Sequence, residues 1–238
     1  MKILLPICVL LIPIILLSCK EDSSNHQSQV ATANVVSRTT DTFSLSDYYD
    51  SLVKTIPPNC KPILGHRFEI VGDFNGDGKL EKLKEHYVSG VSRQETNKSY
   101  ENLNGMEFLQ ALVFQKKPIS YLLDDNRTVD TLFATTQGVH IGLSYAKNEG
   151  DLNGDKTDEL SYVVEWVQES NLNTWHVVTF KNGKWIELLS FDIWDWQLNE
   201  LRQGESLLKK VGKNKVQIIY RNDRAEKDTM MVTLPCSI

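Results

Sequence analysis

From Arg67 to the C-terminus the chain is written in short runs of Val, Ile, Leu, Tyr, Phe and Trp, interrupted at close intervals by Gly, Asn, Asp and Pro. Runs of this length and composition predict half-buried strands. They fall at 67–71, 82–88, 108–114, 131–135, 141–145, 160–166, 175–180, 184–191, 216–220 and 229–234. Asn182-Gly183 between two of them predicts a tight hairpin, and Gly212-Lys213-Asn214 a second one. Ahead of the strands, Ser44 to Lys54 predicts a short helix, capped by Ser44 or Ser46, with acidic residues in its first turn and Pro57-Pro58 beyond its end. The polar piece from Val91 to Gly105 reads as a long loop or a partly disordered insertion. No long amphipathic helical pattern competes, so residues 44–238 are expected to form a mainly β domain of antiparallel sheets with a short N-terminal helix.

The N-terminus follows a different pattern. Met1-Lys2 is a short basic start, and Ile3 to Leu17 is almost wholly apolar but interrupted by Pro6 and Pro13. That run is shorter than the roughly 20 residues a spanning helix needs, which makes it a secretory signal. It ends Leu16-Leu17-Ser18-Cys19, which resembles the lipobox of bacterial lipoproteins. The resemblance implies removal of residues 1–18, acylation of Cys19 with chains such as palmitate, and a lipid anchor in the bacterial outer membrane. Lys20-Glu21-Asp22 is similar to the charged tag that sends some lipoproteins to the cell surface. The alternative is an ordinary signal with an incidental Cys19. Residues 19–43, rich in Ser, Thr, Asn and Gln, read as a flexible tether.

Charge narrows the partners. The formal net charge is -5, and cleavage after Ser18 removes one positive side chain, Lys2, leaving -6. Basic residues are scattered, whereas nucleic-acid affinity rests on clustered Lys and Arg, so no nucleic-acid partner is expected. In an oxidising compartment Cys60 and Cys236 are candidates for a disulfide. Closing a loop of about 175 residues, it would be worth on the order of 4 to 5 kcal/mol. The alternative is two unpaired thiols.

The densest chemistry lies in two acidic stretches. Gly72-Asp73-Phe74-Asn75-Gly76-Asp77-Gly78-Lys79-Leu80-Glu81 is echoed by Gly150-Asp151-Leu152-Asn153-Gly154-Asp155-Lys156-Thr157-Asp158-Glu159. Alternating oxygen-bearing side chains closed by a glutamate suit a hard cation such as Ca²⁺, which takes six to eight oxygen ligands. An EF-hand is excluded: position twelve is Lys84 in one copy and Tyr162 in the other, where a bidentate glutamate is required. A nine-residue loop fits better. Its ligands would be Asp73, Asn75, Asp77, Lys79 through its carbonyl, and Glu81; then Asp151, Asn153, Asp155, Thr157 through its carbonyl, and Glu159.

These loops resemble the calcium loops of FG-GAP and VCBS-type repeats, which build β-propeller blades. The resemblance implies calcium at the first loop and possible calcium at the second, where Lys156 stands in place of Gly78 at a residue expected to need φ > 0. A side chain in that conformation costs roughly 1 to 2 kcal/mol. About 180 residues are too few for a seven-bladed propeller, so a truncated propeller-like or sandwich-like assembly is expected. Metal-free acidic turns are the alternative, because Asn-Gly and Asp-Gly favour turns by themselves.

No catalytic motif appears. The histidines show no HExxH or paired-ligand spacing, although His66 and His86 are placed where they could meet across a hairpin. No nucleophile elbow, P-loop or dinucleotide fingerprint is present, and an enzyme is not expected. Trp166, Trp175, Trp185, Trp194 and Trp196 crowd the second half; core packing is expected of them, with exposed rings for sugar or protein contact as the alternative. The combined expectation is a surface or outer-membrane lipoprotein, a calcium-stabilised binding module for a protein or glycan ligand. Its rivals are an immunity protein or inhibitor against a toxin or hydrolase, and a glycan-binding accessory or hydrolase.

Overall fold

A computed structural model describes residues 44–168, 170–221 and 226–235, all within the unit Thr42–Ile238. The signal segment, the tether, Cys19 and Cys236 lie outside the described residues, and so do the lipidation and disulfide expectations. Cys60 is half-buried before the first strand.

The chain opens with helix α1 (Leu45–Val53), capped as expected by the Ser44 hydroxyl, which accepts from the Asp47 N–H at 3.4 Å. Strand β1 (Lys61–Ile63) pairs antiparallel with β4 (Ser99–Glu101). The first large sheet then runs β2 (Glu69–Gly72), β3 (Glu81–Ser89), β5 (Pro118–Asp124) and β6 (Leu132–Thr135), each strand antiparallel to its neighbour. Helix α2 (Met106–Lys116) lies between β4 and β5.

The second sheet is a meander of β7 (His140–Gly150), β8 (Glu159–Trp166), β9 (Leu172–Lys181) and β10 (Lys184–Trp194). The turn from β9 to β10 is Asn182-Gly183, with both residues at positive φ (51° and 76°), the twist a two-residue hairpin needs. Helix α3 (Asp195–Arg202) leads to a third sheet, β11 (Leu208–Gly212), β12 (Lys215–Arg221) and β13 (Lys227–Thr233). The protein is mainly β and antiparallel, stacked in the manner of a sandwich.

Two cores explain the stacking. One holds Ile70, Leu83 and Leu122 of the first sheet against Leu143, Leu160, Tyr162 and Val164 of the second. The other holds Tyr145, Val163, Trp175 and Val177 of the second sheet against α3 and against Leu208, Val216 and Ile218 of the third. Leu160, Tyr162 and Val164 face one core and Val163 the other, the period-two alternation of a strand buried on both faces. The second sheet is therefore the middle layer.

Three expectations are corrected. Residues 108–114 are not a strand: they belong to α2, whose Ala111 and Val113 are buried and whose Phe114 ring meets Tyr49 of α1 at 4.9 Å. A nearly continuous apolar run cannot be assigned to strand or helix by periodicity alone, and the Leu, Ala and Gln in it, with Glu107 just before it, favour helix. The strand lies just beyond, at β5, which begins at Pro118. Val91–Gly105 is not simply a loop either, since it contains β4 and the buried Lys98, whose Nζ lies 2.5 Å from Glu85 Oε1. Finally, the five tryptophans are not all packed in the core. β10 ends at Trp194 and α3 begins at Asp195, with the Trp194 N–H capped by Gln197 Oε1 at 3.1 Å. Trp175 is fully buried as expected, but Trp166, Trp194 and Trp196 are exposed.

Candidate functional site

The two acidic loops each join the first strand of a large sheet to the second, β2 to β3 and β7 to β8. Their backbones are held by the same hydrogen bonds. In the first, Glu81 turns its buried carboxylate back into the loop: Oε2 accepts from the N–H of Phe74 at 2.8 Å and of Asn75 at 3.4 Å, and Oε1 from Asn75 Nδ2 at 3.0 Å. In the second, Glu159 Oε2 accepts from Leu152 at 2.5 Å and Asn153 at 3.3 Å, and Oε1 from Asn153 Nδ2 at 2.8 Å. Asn75 and Asn153 each accept from the N–H two residues on, and so do Asp77 and Asp155. These Asx turns are the local reason an Asp-x-Asn-x-Asp stretch closes into a loop. Lys156 sits at φ 76°, next to the 82° of its counterpart Gly78, so the second loop carries the expected backbone strain.

The loops also dock on each other. Asp158 N–H donates to the Asp73 carbonyl at 2.9 Å, and Asp73 N–H donates to Asp158 Oδ2 at 3.0 Å. Asn148 Nδ2 ties the joint, donating to Asp158 Oδ2 at 2.8 Å and to the Val71 carbonyl at 3.0 Å. Gly76 completes the approach: a Cβ there would come within 2.9 Å of Thr157 Cγ2. Each loop anchors its second residue in a core, Phe74 in one and Leu152 in the other. The pair thus binds the first two sheets and both cores at one end of the molecule. Sequence reasoning missed Asp158 and Asn148, which have no counterparts in the first copy.

The chemistry of the two loops differs. Ligand oxygens of Asp73, Asp77 and Glu81 lie within 4.8 Å of one another, the one such convergence of acidic, His or Cys side chains among the described residues. Asp73 Oδ2 accepts from the Gly78 N–H at 3.0 Å, but Oδ1 is buried with no hydrogen-bond partner. A buried carboxylate oxygen without a donor is costly unless a cation meets it. Burial raises the Glu81 pKa, the Asp73 and Asp77 charges add to the rise, and the Phe74 and Asn75 N–H groups oppose it. A hard cation held by Asp73, Asp77 and Glu81 would satisfy the orphaned oxygen and relieve the repulsion. Asn75 and Lys79 are in the loop as expected, with Asn75 bridging Glu81 and the Asp77 N–H, and the Lys79 N–H on Asp77 Oδ1 at 2.8 Å.

In the second loop a lysine takes part instead. Lys210 of β11 places its ammonium on the Asp151 carbonyl, 3.6 Å from Asp151 Oδ1. The Thr157 hydroxyl donates to Asp155 Oδ1 at 2.5 Å. Glu159 is fully buried, and that burial pushes its pKa up to about 7 against the donors that favour the ionised form. Lys210 lies more than fifty residues from the loop in sequence, beyond the reach of a local motif.

His66 and His86, which could have met across a hairpin, have separate partners. His66 packs edge-on against Phe68, while His86 stacks on Tyr121 and bonds Glu95 at 2.7 Å. No helix among the described residues is long and apolar enough to cross a membrane. No family model, curated protein or solved structure matches the chain.

Proposed function

We propose that this chain is a lipid-anchored binding module of the bacterial outer membrane, exposed at the cell surface and stabilised by Ca²⁺ at the first acidic loop. The observation that carries the calcium reading is the convergence of Asp73, Asp77 and Glu81 on one point with Asp73 Oδ1 buried and unpartnered. The lipobox ending at Cys19 supports the anchor, and the tether over 19–43 would hold the β domain away from the bilayer. Calcium here supplies folding stability: it pins the joint between two sheets, and any ligand is met elsewhere on the surface. Lys210 acts as the resident cation of the second loop, so one calcium binds and not two.

Two measurements test this. The full chain in mild detergent melts higher in calcium than in chelator, by the equivalent of about 1.4 kcal/mol at ten times Kd. Asp73→Ala abolishes the difference; equal melting of the wild type in both conditions would remove the proposal. Calorimetric titration gives one calcium per chain for the wild type and two for Lys210→Met. The second loop already holds positive φ at Lys156, so freeing Asp151 requires no backbone change. A stoichiometry of two in the wild type would show that Lys210 does not take the place of a metal.

A further inference from the structure

β8 begins at Glu159 of the second loop and ends at Trp166, roughly 23 Å away at 3.3 Å per residue. At that far end is a cleft of about 270 Å³, whose lining includes Glu165, Trp166, Asn171, Asn173, Asp195 and Arg202. We propose that it binds a single ring of an uncharged saccharide. The inference rests on the binding-module reading but not on calcium.

The aromatic wall is fixed before any ligand arrives. Gly138, at φ 95°, has no Cβ, and one built there would stand 2.5 Å from Trp166 Cζ3. On another side the His140 ring meets Trp166 edge-on at 5.7 Å. The indole is therefore seated, yet 37% of Trp166 remains exposed. A held, half-open indole offers an apolar surface to the C–H groups of a sugar ring at little entropic cost.

The polar wall is equally built. Asn173, only 8% exposed, donates to Asp195 Oδ1 at 2.6 Å, and the Asp195 N–H donates to the Asn171 carbonyl at 2.9 Å. Arg202 is clamped by Nε on the Ser144 carbonyl at 3.2 Å and by Nη2 on Glu165 Oε2 at 3.4 Å. Asp195 is exposed and lines the cleft, where its carboxylate is open to the hydroxyl donors a ligand would bring. Acceptors on Asp195 and the Asn173 carbonyl, with donors on Arg202, match the mixed donor and acceptor character of vicinal hydroxyls.

Charge and size select the class. Arg202 neutralises Glu165, which leaves Asp195 as one net negative charge, repelling phosphate, sulfate and uronate. The volume lies just under the roughly 300 to 1,000 Å³ of drug-sized sites, enough for one ring and not an extended chain.

The test is a glycan array carrying glucose-, galactose-, mannose- and N-acetylglucosamine-terminated probes beside sialylated and sulfated ones, read with the full chain in detergent. Retention on neutral probes is expected, weakened at least tenfold by Trp166→Ala and about fivefold by the near-isosteric Asp195→Asn. Phe133→Ala, an exposed residue of β6, leaves it unchanged. Retention in the cold persists in chelator, since the two docked acidic loops lie at the other end of β8. No neutral probe retained, retention of anionic probes alone, or binding indifferent to both cleft variants would overturn the proposal. The calcium melt of the same sample reports the preceding reading separately.

Discussion

Glu159→Ala destabilises the protein by on the order of 3 to 5 kcal/mol, in calcium and in chelator alike. The variant leaves Leu152 N, Asn153 N and Asn153 Nδ2 without their common acceptor, in a place where Glu159 is fully buried. Each buried donor left unsatisfied costs roughly 1 to 3 kcal/mol, reduced where water can enter the cavity. Total stabilities are about 5 to 15 kcal/mol, so this one carboxylate decides a large share. Glu159→Gln keeps one acceptor oxygen but turns an NH₂ toward donors, and should cost roughly 1 to 3 kcal/mol. Glu81→Ala should cost as much as Glu159→Ala, because Phe74 and Asn75 lose the same bonds, and should also erase the calcium response. Urea midpoints for the three variants measure this. A loss below 1 kcal/mol for Glu159→Ala would show the loops to be peripheral turns and not the joint between sheets.

The loops were the most legible part of the sequence because their structure is local. Asp-x-Asn-x-Asp closes on its own N–H groups within ten residues, and the same bonds recur in both copies. Asn182-Gly183 and the Ser44 cap were legible for the same reason. What could not be read was long-range or two-sided. Phe108–Phe114 is apolar except for Gln110, because α2 packs against α1 on one side and the body of the protein on the other, which hides the helical period. Lys98 looked like one more polar loop residue; only the fold brings it to Glu85, buried at 0% side-chain exposure, and to the Leu143 carbonyl at 3.2 Å. Trp166 was counted with tryptophans expected in the core, yet its seat depends on Gly138 and His140, residues that pattern alone does not connect to it. Lys210 against Asp151 belongs to the same class. The division follows sequence separation: contacts within a loop show in spacing, and contacts between layers do not.

His140 should impose an acid sensitivity of its own, separable by substitution. The ring is fully buried between Tyr87 and Trp166, and burial lowers its pKa to about 4 from the usual 6.5, with the Lys98 charge adding to the effect. The tautomer is fixed as well: Nε2 lies 3.1 Å from the Pro118 carbonyl and donates to it, and Nδ1 accepts from the Gly142 N–H at 3.2 Å. Protonating Nδ1 would set two donors face to face. Below pH 6.5 the unfolded chain takes up a proton that the folded chain refuses. The contribution is therefore complete above pH 6.5 and is lost as pH falls to about 4, amounting to roughly 3 kcal/mol. Glu159 works in the opposite direction between pH 7 and 4.5, because its folded pKa is raised, so the wild-type profile alone does not isolate the histidine. The difference between wild type and His140→Gln does. At pH 7 the variant should be less stable by about 1 to 2 kcal/mol from imperfect packing and hydrogen bonding. The gap should close and then reverse as the pH approaches 4, measured by urea unfolding at half-unit steps. A gap constant across that range would mean that His140 carries its charge in the folded state, and that the Gly142 N–H finds another acceptor.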